Sequence, residues 1–88
     1  MKLNETVEMM NSVDYKERFK AEYYQIKIRV CGLQNMLVAW DNDKLKFEPT
    51  CPRSTYDLQL KAMMEYKAIL EMRAVMEHID IDTTLDIA

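Results

Sequence analysis

The stretch that decides the fold is FKAEYYQIKIRVCGLQNMLVAW, residues 19–40. Its apolar side chains recur at alternating intervals of four and three residues, and Tyr15 extends the series backwards by another four. This spacing winds a narrow apolar stripe along one face of an α-helix, which is typical of a seam that packs against a second helix. The members of the stripe are Phe19, Tyr23, Ile26, Val30, Leu33, Leu37 and Trp40.

The rest of the chain predicts a single all-α domain over residues 1–88. The first long helix is expected at about residues 14–40 and the second at about residues 55–79, joined by the connection DNDKLKFEPTCPR at residues 41–53. Two long helices of similar length joined by one loop favour an antiparallel helical hairpin. The acidic tail at residues 80–88 alternates apolar and acidic side chains, and we expect it to be frayed or docked on a neighbour.

Short polar side chains mark the expected ends of these helices. Asp14 is a suitable N-cap for the first long helix, and Ser54 followed by Asp57 forms a capping pattern for the second. In the connection, Leu45 and Phe47 alternate with charged residues, so both are expected to point inward.

A short leading helix is predicted over about residues 4–11, with Asn4 as its N-cap. Val7 and Met10, with Met9 as a further candidate, are expected to face inward, because a helix this short is not stable unless it docks on the hairpin.

The second long helix is apolar on more than one side, so it needs more than one partner. We expect homo-oligomerisation to complete the hairpin, because monomers rarely expose large apolar patches. One broad face is formed by Ala62, Met63, Tyr66, Ile69, Leu70 and Ala74. The opposite side carries Ala68 together with the candidate oligomer interface, Leu60, Met64, Met72 and Val75.

The overall charge disfavours some partners. A net charge of −3 and a pI near 5.1 argue against nucleic-acid binding, which requires a basic footprint. No run of apolar residues approaches the ~20 needed to span a bilayer, so no membrane partner is expected. Asn4, Glu5 and Glu8 interrupt the place where a signal peptide would have its apolar core, so we expect a cytoplasmic protein.

Catalytic chemistry finds little support in the sequence. A single glycine cannot build a phosphate-cradling loop, and no nucleotide-binding or hydrolase motif is present. His78 lies near a helix end among acidic residues, where a solvated or capping role is the simpler interpretation. Cys31 and Cys51 lack the spacing of a zinc site or a disulfide framework. We therefore expect no enzyme activity, no catalytic residue, no metal and no cofactor.

One group of side chains is a candidate ligand site. Lys16, Lys20, Tyr24 and Lys27 follow each other at spacings of four, four and three along one flank of the first long helix, which we call the lysine flank. Cationic side chains bind phosphate groups, and aromatic rings beside them stack on bases. The alternative is that these lysines only border a buried seam. The candidate ligand-binding residues are Lys16, Lys20, Tyr23, Tyr24, Lys27 and Arg29.

Two stretches, YKERFKAEYYQIKIRVCGLQNML and LQLKAMMEYKAILEMRAVM, resemble a phage and prophage family of small helical-hairpin proteins labelled from a crAss-like phage genome. The resemblance covers residues 15–37 and 58–76. The positions that match in the first helix are Tyr15, Lys16, Glu17, Arg18, Glu22, Tyr23, Lys27, Leu33 and Leu37. In the second helix they are Leu58, Gln59, Leu60, Ala62, Met63, Tyr66, Ile69, Leu70 and Arg73.

This resemblance implies a phage accessory protein without catalytic residues. Other small phage helical hairpins assemble into oligomers that sequester cyclic-nucleotide immune signals, or they block a bacterial defence protein directly. The resemblance therefore implies a counter-defence binding protein, with a cyclic nucleotide or a defence protein as its partner. The alternative is a structural helical oligomer that scaffolds phage or host components.

Overall fold

The computed structural model describes residues 1–84 and contains no β-strand among them. A 3₁₀ turn at Leu3–Thr6 runs directly into the short helix α1, Val7–Met10. The long helices are α2, Tyr15–Asp41, and α3, Arg53–Met76. The predicted all-α antiparallel hairpin with a short N-terminal helix is confirmed.

Helix α2 is central, and it packs against both α1 and α3. Beyond α3, the chain turns back and runs along α2 as far as residue 84; we call residues 78–84 the C-terminal strap. The part of the predicted acidic tail at residues 85–88 lies outside the described residues.

The apolar stripe of α2 forms the core of the hairpin. Five of its seven members are buried, and Leu33 and Trp40 are half-buried. Against this stripe pack Leu70 and Ala74 from α3. Ile79 of the C-terminal strap completes the same cluster. The 4-3 spacing of the sequence therefore identified the packed face of α2.

Hydrogen bonds between tyrosines and glutamates fix the register of α2 against α3. The Tyr15 hydroxyl donates to the Glu77 carboxylate at 2.6 Å, and the Tyr23 hydroxyl donates to Glu71 at 2.7 Å. In the opposite sense, Tyr66 of α3 donates to Glu22 of α2. Arg73 joins this set by donating to the Tyr15 oxygen at 3.0 Å and to Glu77 at 2.9 Å.

The other end of the hairpin is closed by a cation and an aromatic pair. Arg53 forms a salt bridge with Asp41 across the connection. The rings of Trp40 and Tyr56 meet edge to face with their centroids 5.8 Å apart, and the Arg53 guanidinium lies 5.6 Å from the Trp40 ring. The hairpin is therefore held at both ends as well as along its apolar seam.

The predicted cap of α2 is confirmed, and that of α3 is wrong. The Asp14 side chain accepts the Lys16 amide at 3.0 Å, as an N-cap does. Helix α3 begins at Arg53, with Pro52 at its N-cap and no side-chain capping bond. Asp57 accepts instead from Arg53, at 3.1 Å, because that residue lies one helical turn before it.

Of the residues of the short helix expected to face inward, only Met9 does so. Val7 and Met10 are both more than 40% exposed, which corrects the expectation that they face inward. Thr6 is fully buried instead, and its hydroxyl accepts from Gln25 of α2 at 2.9 Å. Met9 packs against the core cluster.

Two further expectations on packing are wrong. Phe47 is 57% exposed, whereas Leu45 in the same connection is half-buried as predicted. In α3, Ala62, Tyr66 and Ile69 are exposed. The face of α3 that meets α2 is centred on Leu70 and Ala74, so Ala62 and Ile69 point away from α2, and Tyr66 lies at the edge of the contact, where its hydroxyl reaches Glu22. The apolar and aromatic residues of α3 on the packed side are Tyr56, Leu60, Met63, Leu70 and Ala74.

The buried seam predicts that a charge at its centre is not tolerated. Val30 is 5% exposed, so Val30→Asp places an unpaired carboxylate in the core and should destabilise the chain by about 3 kcal/mol or more. Val38 of the same helix is 59% exposed, and Val38→Asp should change stability by no more than about 0.5 kcal/mol. Urea unfolding measures both, and equal losses would contradict the assigned seam.

The hydrogen bonds and salt bridges between the two long helices predict that the free energy of unfolding falls at both low and high pH. Hydrogen bonds from Tyr15 and then Arg73 hold the pKa of Glu77 below its ordinary value of 4.5, and Arg53 lowers the pKa of Asp41. Both contributions are present above the unfolded pKa and are lost as the pH falls through the folded one. Burial, followed by the bond to Glu71, raises the pKa of Tyr23 above its ordinary value of 10.0. This contribution is complete below that value and is lost at higher pH.

Melting curves from pH 2 to 11 should therefore show a plateau with an acid and an alkaline decline. Glu77→Gln should weaken the acid decline, and Tyr23→Phe should weaken the alkaline one. Each variant serves as the control for the other. Wild-type pH profiles in both variants would show that these bonds do not contribute to stability.

Candidate functional site

The lysine flank lies on the N-terminal half of α2. Lys16, Lys20, Tyr24 and Lys27 are spaced so that successive members are neighbours on one side of a helix. Their backbone belongs to a helix that is packed on α1 and α3, so the three ammonium groups project from a rigid support.

The C-terminal strap runs along this flank. The Lys16 ammonium donates to the backbone carbonyl of His78, at 3.5 Å, where the strap begins. Further along, the amide of Asp82 donates to the Tyr24 hydroxyl at 3.1 Å, and the Lys27 ammonium donates to the carbonyl of Thr83. Three of the four members of the lysine flank are therefore in contact with residues 78–83.

A reversal at the end of α3 directs the chain onto the flank. His78 has a left-handed backbone, with φ of 56°. Its amide donates to the carbonyl of Val75, and the amide of Ile79 donates to that of Ala74 at 2.9 Å. This is the Schellman arrangement, in which the left-handed position is usually glycine. The helix therefore ends at Met76, three residues before the predicted end, and Ile79 is brought into the core.

The positive charges of the flank are neutralised unequally. Lys20 is paired with Glu17 at 3.3 Å. Lys16 and Lys27 have no salt bridge within residues 1–84, and their acceptors are the strap carbonyls. The Thr84 hydroxyl and amide donate to Asp82 and hold the pKa of its carboxyl below its ordinary value, and the charge of Lys27 acts in the same direction. The flank is thus a cationic surface covered by an acidic segment.

The two tyrosines at the flank do not offer an open ring for base stacking. Tyr23 is fully buried with its hydroxyl on Glu71, and Tyr24 is 8% exposed. Their rings lie against each other, edge to face, with centroids 5.7 Å apart. Tyr23 is buried because it belongs to the 4-3 stripe, which places it in the seam. The lysines, and not the aromatic rings, are the groups able to reach a ligand.

Arg29 does not join the lysine flank. Residues two apart on a helix point to different sides, and Arg29 follows Lys27 by two. Its side chain is exposed. Of the six candidate ligand-binding residues, the structure therefore gathers Lys16, Lys20, Tyr24 and Lys27 on one surface, and it leaves Tyr23 in the core and Arg29 elsewhere on α2.

A second surface of interest is the exposed side of α3. Met64, Met72 and Val75, three of the four candidate interface residues, are 48%, 55% and 76% exposed. Leu60 is half-buried and packs against the core cluster. Leu60 also lines a shallow surface groove of about 450 Å³, together with Met64 and Ala68. A second groove, of about 480 Å³, lies beside it between α2 and α3.

No group of three or more metal-ligating side chains comes together among the described residues. Cys31 is half-buried and Cys51 is exposed, and both are free thiols. His78 acts through its backbone, as the residue that reverses the chain after α3.

The comparisons with known proteins identify a family. A family model described as Sequestin matches residues 13–76, which contain all of α2, the connection and α3. No curated protein and no solved structure gives a significant match to the chain. In residues 1–84, neither long helix has a segment apolar enough to cross a membrane. The C-terminal strap lies outside the matched range.

The reversal at His78 predicts a gain in stability on substitution by glycine. A left-handed backbone costs a residue with a Cβ atom about 1–2 kcal/mol, and glycine avoids this cost but loses more chain entropy on folding. His78→Gly should therefore stabilise the fold by up to about 1 kcal/mol. Met76→Gly, at the right-handed end of α3, should destabilise it by about 0.5–1 kcal/mol. Thermal unfolding measures both, and a loss of stability in both variants would contradict the assigned reversal.

Proposed function

Because the chain belongs to the Sequestin family, we propose that it is a non-catalytic binding protein that sequesters an anionic ligand. The family name indicates sequestration, and it fits a small helical protein whose candidate site offers cations and no nucleophile. We propose further that the protein is phage-encoded and acts in the cytoplasm of the bacterial host. There it would withdraw a cyclic-nucleotide immune signal or inhibit a bacterial defence protein.

One observation carries the small-ligand form of this proposal. Lys16 and Lys27 project from a rigid helix and form no salt bridge within the described part of the chain. Their hydrogen bonds go to backbone carbonyls, and the Asp82 carboxylate acts on Lys27 only at longer range. Phosphate oxygens are stronger acceptors for an ammonium group than carbonyl oxygens, because their net negative charge adds a Coulomb attraction to the hydrogen bond. A phosphate group would therefore compete well for these lysines.

The buried rings refine which part of a nucleotide would be recognised. Tyr23 is enclosed by the seam, and Tyr24 has its hydroxyl bonded to the strap. A ligand approaching this flank would meet ammonium groups first. We propose that recognition rests on the phosphates, with little contribution from base stacking on tyrosine in this conformation.

Self-association is the second part of the proposal. Leu58, Ala62, Ile69, Met72 and Met76 repeat at helical spacing on the side of α3 that faces away from α2, and all are exposed. Glu65 interrupts the row. We propose that copies of the chain associate through this side, with Met64, Met72 and Val75 at or beside the contact. Burial of such a row is favourable by roughly 25 cal/mol per Å² of apolar surface.

The same exposed row favours a second candidate function, a scaffold of helical hairpins that organises phage or host components. In that case the apolar side chains of α3 would matter for function and the lysines would not. Two sets of variants separate the two candidates: charge reversal of lysines on the lysine flank, and introduction of a charge at Met72 on α3.

Calorimetry and native mass spectrometry against a panel of cyclic nucleotides test the sequestration proposal. The panel includes cyclic AMP, cyclic di-AMP, cyclic di-GMP and cyclic trinucleotides. The wild-type chain should bind at least one of them. Lys20→Glu combined with Lys27→Glu should weaken that binding by a factor of about 100 or more, because each reversal replaces an attraction with a repulsion.

The matched control is Lys61→Glu, because Lys61 is an exposed lysine of α3 that lies away from the lysine flank. This variant should bind the same nucleotide as tightly as the wild type does. If the panel fails to bind and the double lysine variant still protects phage, the small-ligand form is excluded. Co-purification of one host protein would then support the defence-protein form. Loss of protection in Met72→Glu alone, with loss of oligomers in light scattering, would favour the scaffold.

A further inference from the structure

The C-terminal strap makes a set of contacts that resembles those of a bound ligand. Its first contact is the His78 carbonyl on Lys16, and its last is the Thr83 carbonyl on Lys27. Between them, the Asp82 amide donates to Tyr24. The strap therefore supplies carbonyl acceptors to the lysines at the two ends of the lysine flank and an amide donor to the tyrosine between them.

Attachment of the strap weakens along its length. Ile79 is 5% exposed and belongs to the core cluster, and Ile81 is half-buried against the same cluster. Residues 82–84 are exposed and are held by the hydrogen bonds of Asp82 and Thr83 to the flank. Segments with few buried apolar contacts and exposed hydrogen bonds open at low free energy. The strap is thus fixed at Ile79 and releasable beyond Ile81.

The chemistry of the strap matches that of an anionic competitor. The carboxylate of Asp82 is close enough to Lys27 for the two charges to interact, and two backbone carbonyls occupy the ammonium groups. Phosphate oxygens would use the same lysines. A phosphate-bearing ligand and the strap therefore cannot both bind the flank fully.

We propose that residues 82–84 are a displaceable cover of the lysine flank, and that a phosphate-bearing ligand binds by displacing them. This inference rests on the proposed anion-binding function of the flank. Because only open chains bind, the apparent Kd for the ligand equals the intrinsic Kd divided by the fraction of chains in which the strap is open. The strap lies outside residues 13–76, the range that matches the family model.

The test uses the full chain and inorganic tripolyphosphate, an anion without a base, at constant ionic strength. Ile81→Ser loosens the strap without altering any residue of the flank. Phe47→Ser is the matched control, because Phe47 is 57% exposed and lies in the connection between the long helices, away from the strap. Calorimetry should show that Ile81→Ser binds tripolyphosphate about tenfold more tightly than the wild type, and that Phe47→Ser binds unchanged.

Amide hydrogen exchange provides an independent measurement. Tripolyphosphate should accelerate exchange at the Asp82 amide of the wild-type chain and leave the α2 amides protected. Asp82→Pro removes this amide donor together with the carboxylate, and it leaves both isoleucines in place, so it tests the cover even if Ile81→Ser unfolds. It should tighten tripolyphosphate binding more than Asp82→Asn does, because Asp82→Asn removes only the carboxylate charge and keeps the amide.

Two results would overturn the cover. In the first, tripolyphosphate binds with the same affinity to the wild type and to every strap variant while the Asp82 amide stays protected; the flank would then bind anions with the strap closed, and the proposed function would stand. In the second, tripolyphosphate binds to none of them. Binding of tripolyphosphate with failure of all cyclic nucleotides would remove the nucleotide function and leave the cover intact.

Discussion

The seam between α2 and α3 is the constraint on which the rest of the structure depends. Apolar stripes with 4-3 spacing pack almost equally well when one helix slides by a heptad, so apolar contact alone leaves the register open. The bonds of Tyr23 to Glu71 and of Tyr15 to Glu77 remove this freedom, because a slide would separate these partners and leave polar groups unpaired beside the core. With the register fixed, the end of α3 lies beside Lys16.

The scarcity of glycine shapes both ends of the hairpin. The chain has a single glycine, which lies inside α2, so both long helices end without one. Asp43 and His78 take the left-handed position instead, with φ of 54° and 56°. After α3 this reversal sends the chain back along α2, so that the core gains Ile79 and the lysine flank gains the strap. A local feature of the backbone thereby determines what covers the candidate site.

The features that follow from helical periodicity could be predicted from the sequence. The features that depend on single contacts between elements could not. The seam of α2, the antiparallel hairpin and the grouping of the lysines follow from helical spacing, which tertiary contacts reinforce here. Leu60 on the packed side, the exposed Phe47 and the buried Thr6 depend on how the elements are rotated against each other, which no single segment encodes. The strap was missed because histidine at position 78 gives no signal for a left-handed turn. The only sign of the strap in the sequence was the alternation of Ile79 and Ile81 with acidic residues.

The proposed function places anion capture on a rigid lysine-bearing helix and leaves the outer side of α3 for association between copies. Chemical-shift mapping of the full chain during titration with cyclic di-AMP and cyclic di-GMP tests this division most directly. Sequestration on the lysine flank predicts that the largest backbone shifts occur at Lys16, Tyr24, Lys27 and residues 82–84, with the exposed row of α3 unaffected. Shifts concentrated on Leu58, Ile69 and Met72, with the lysines unchanged, would contradict it.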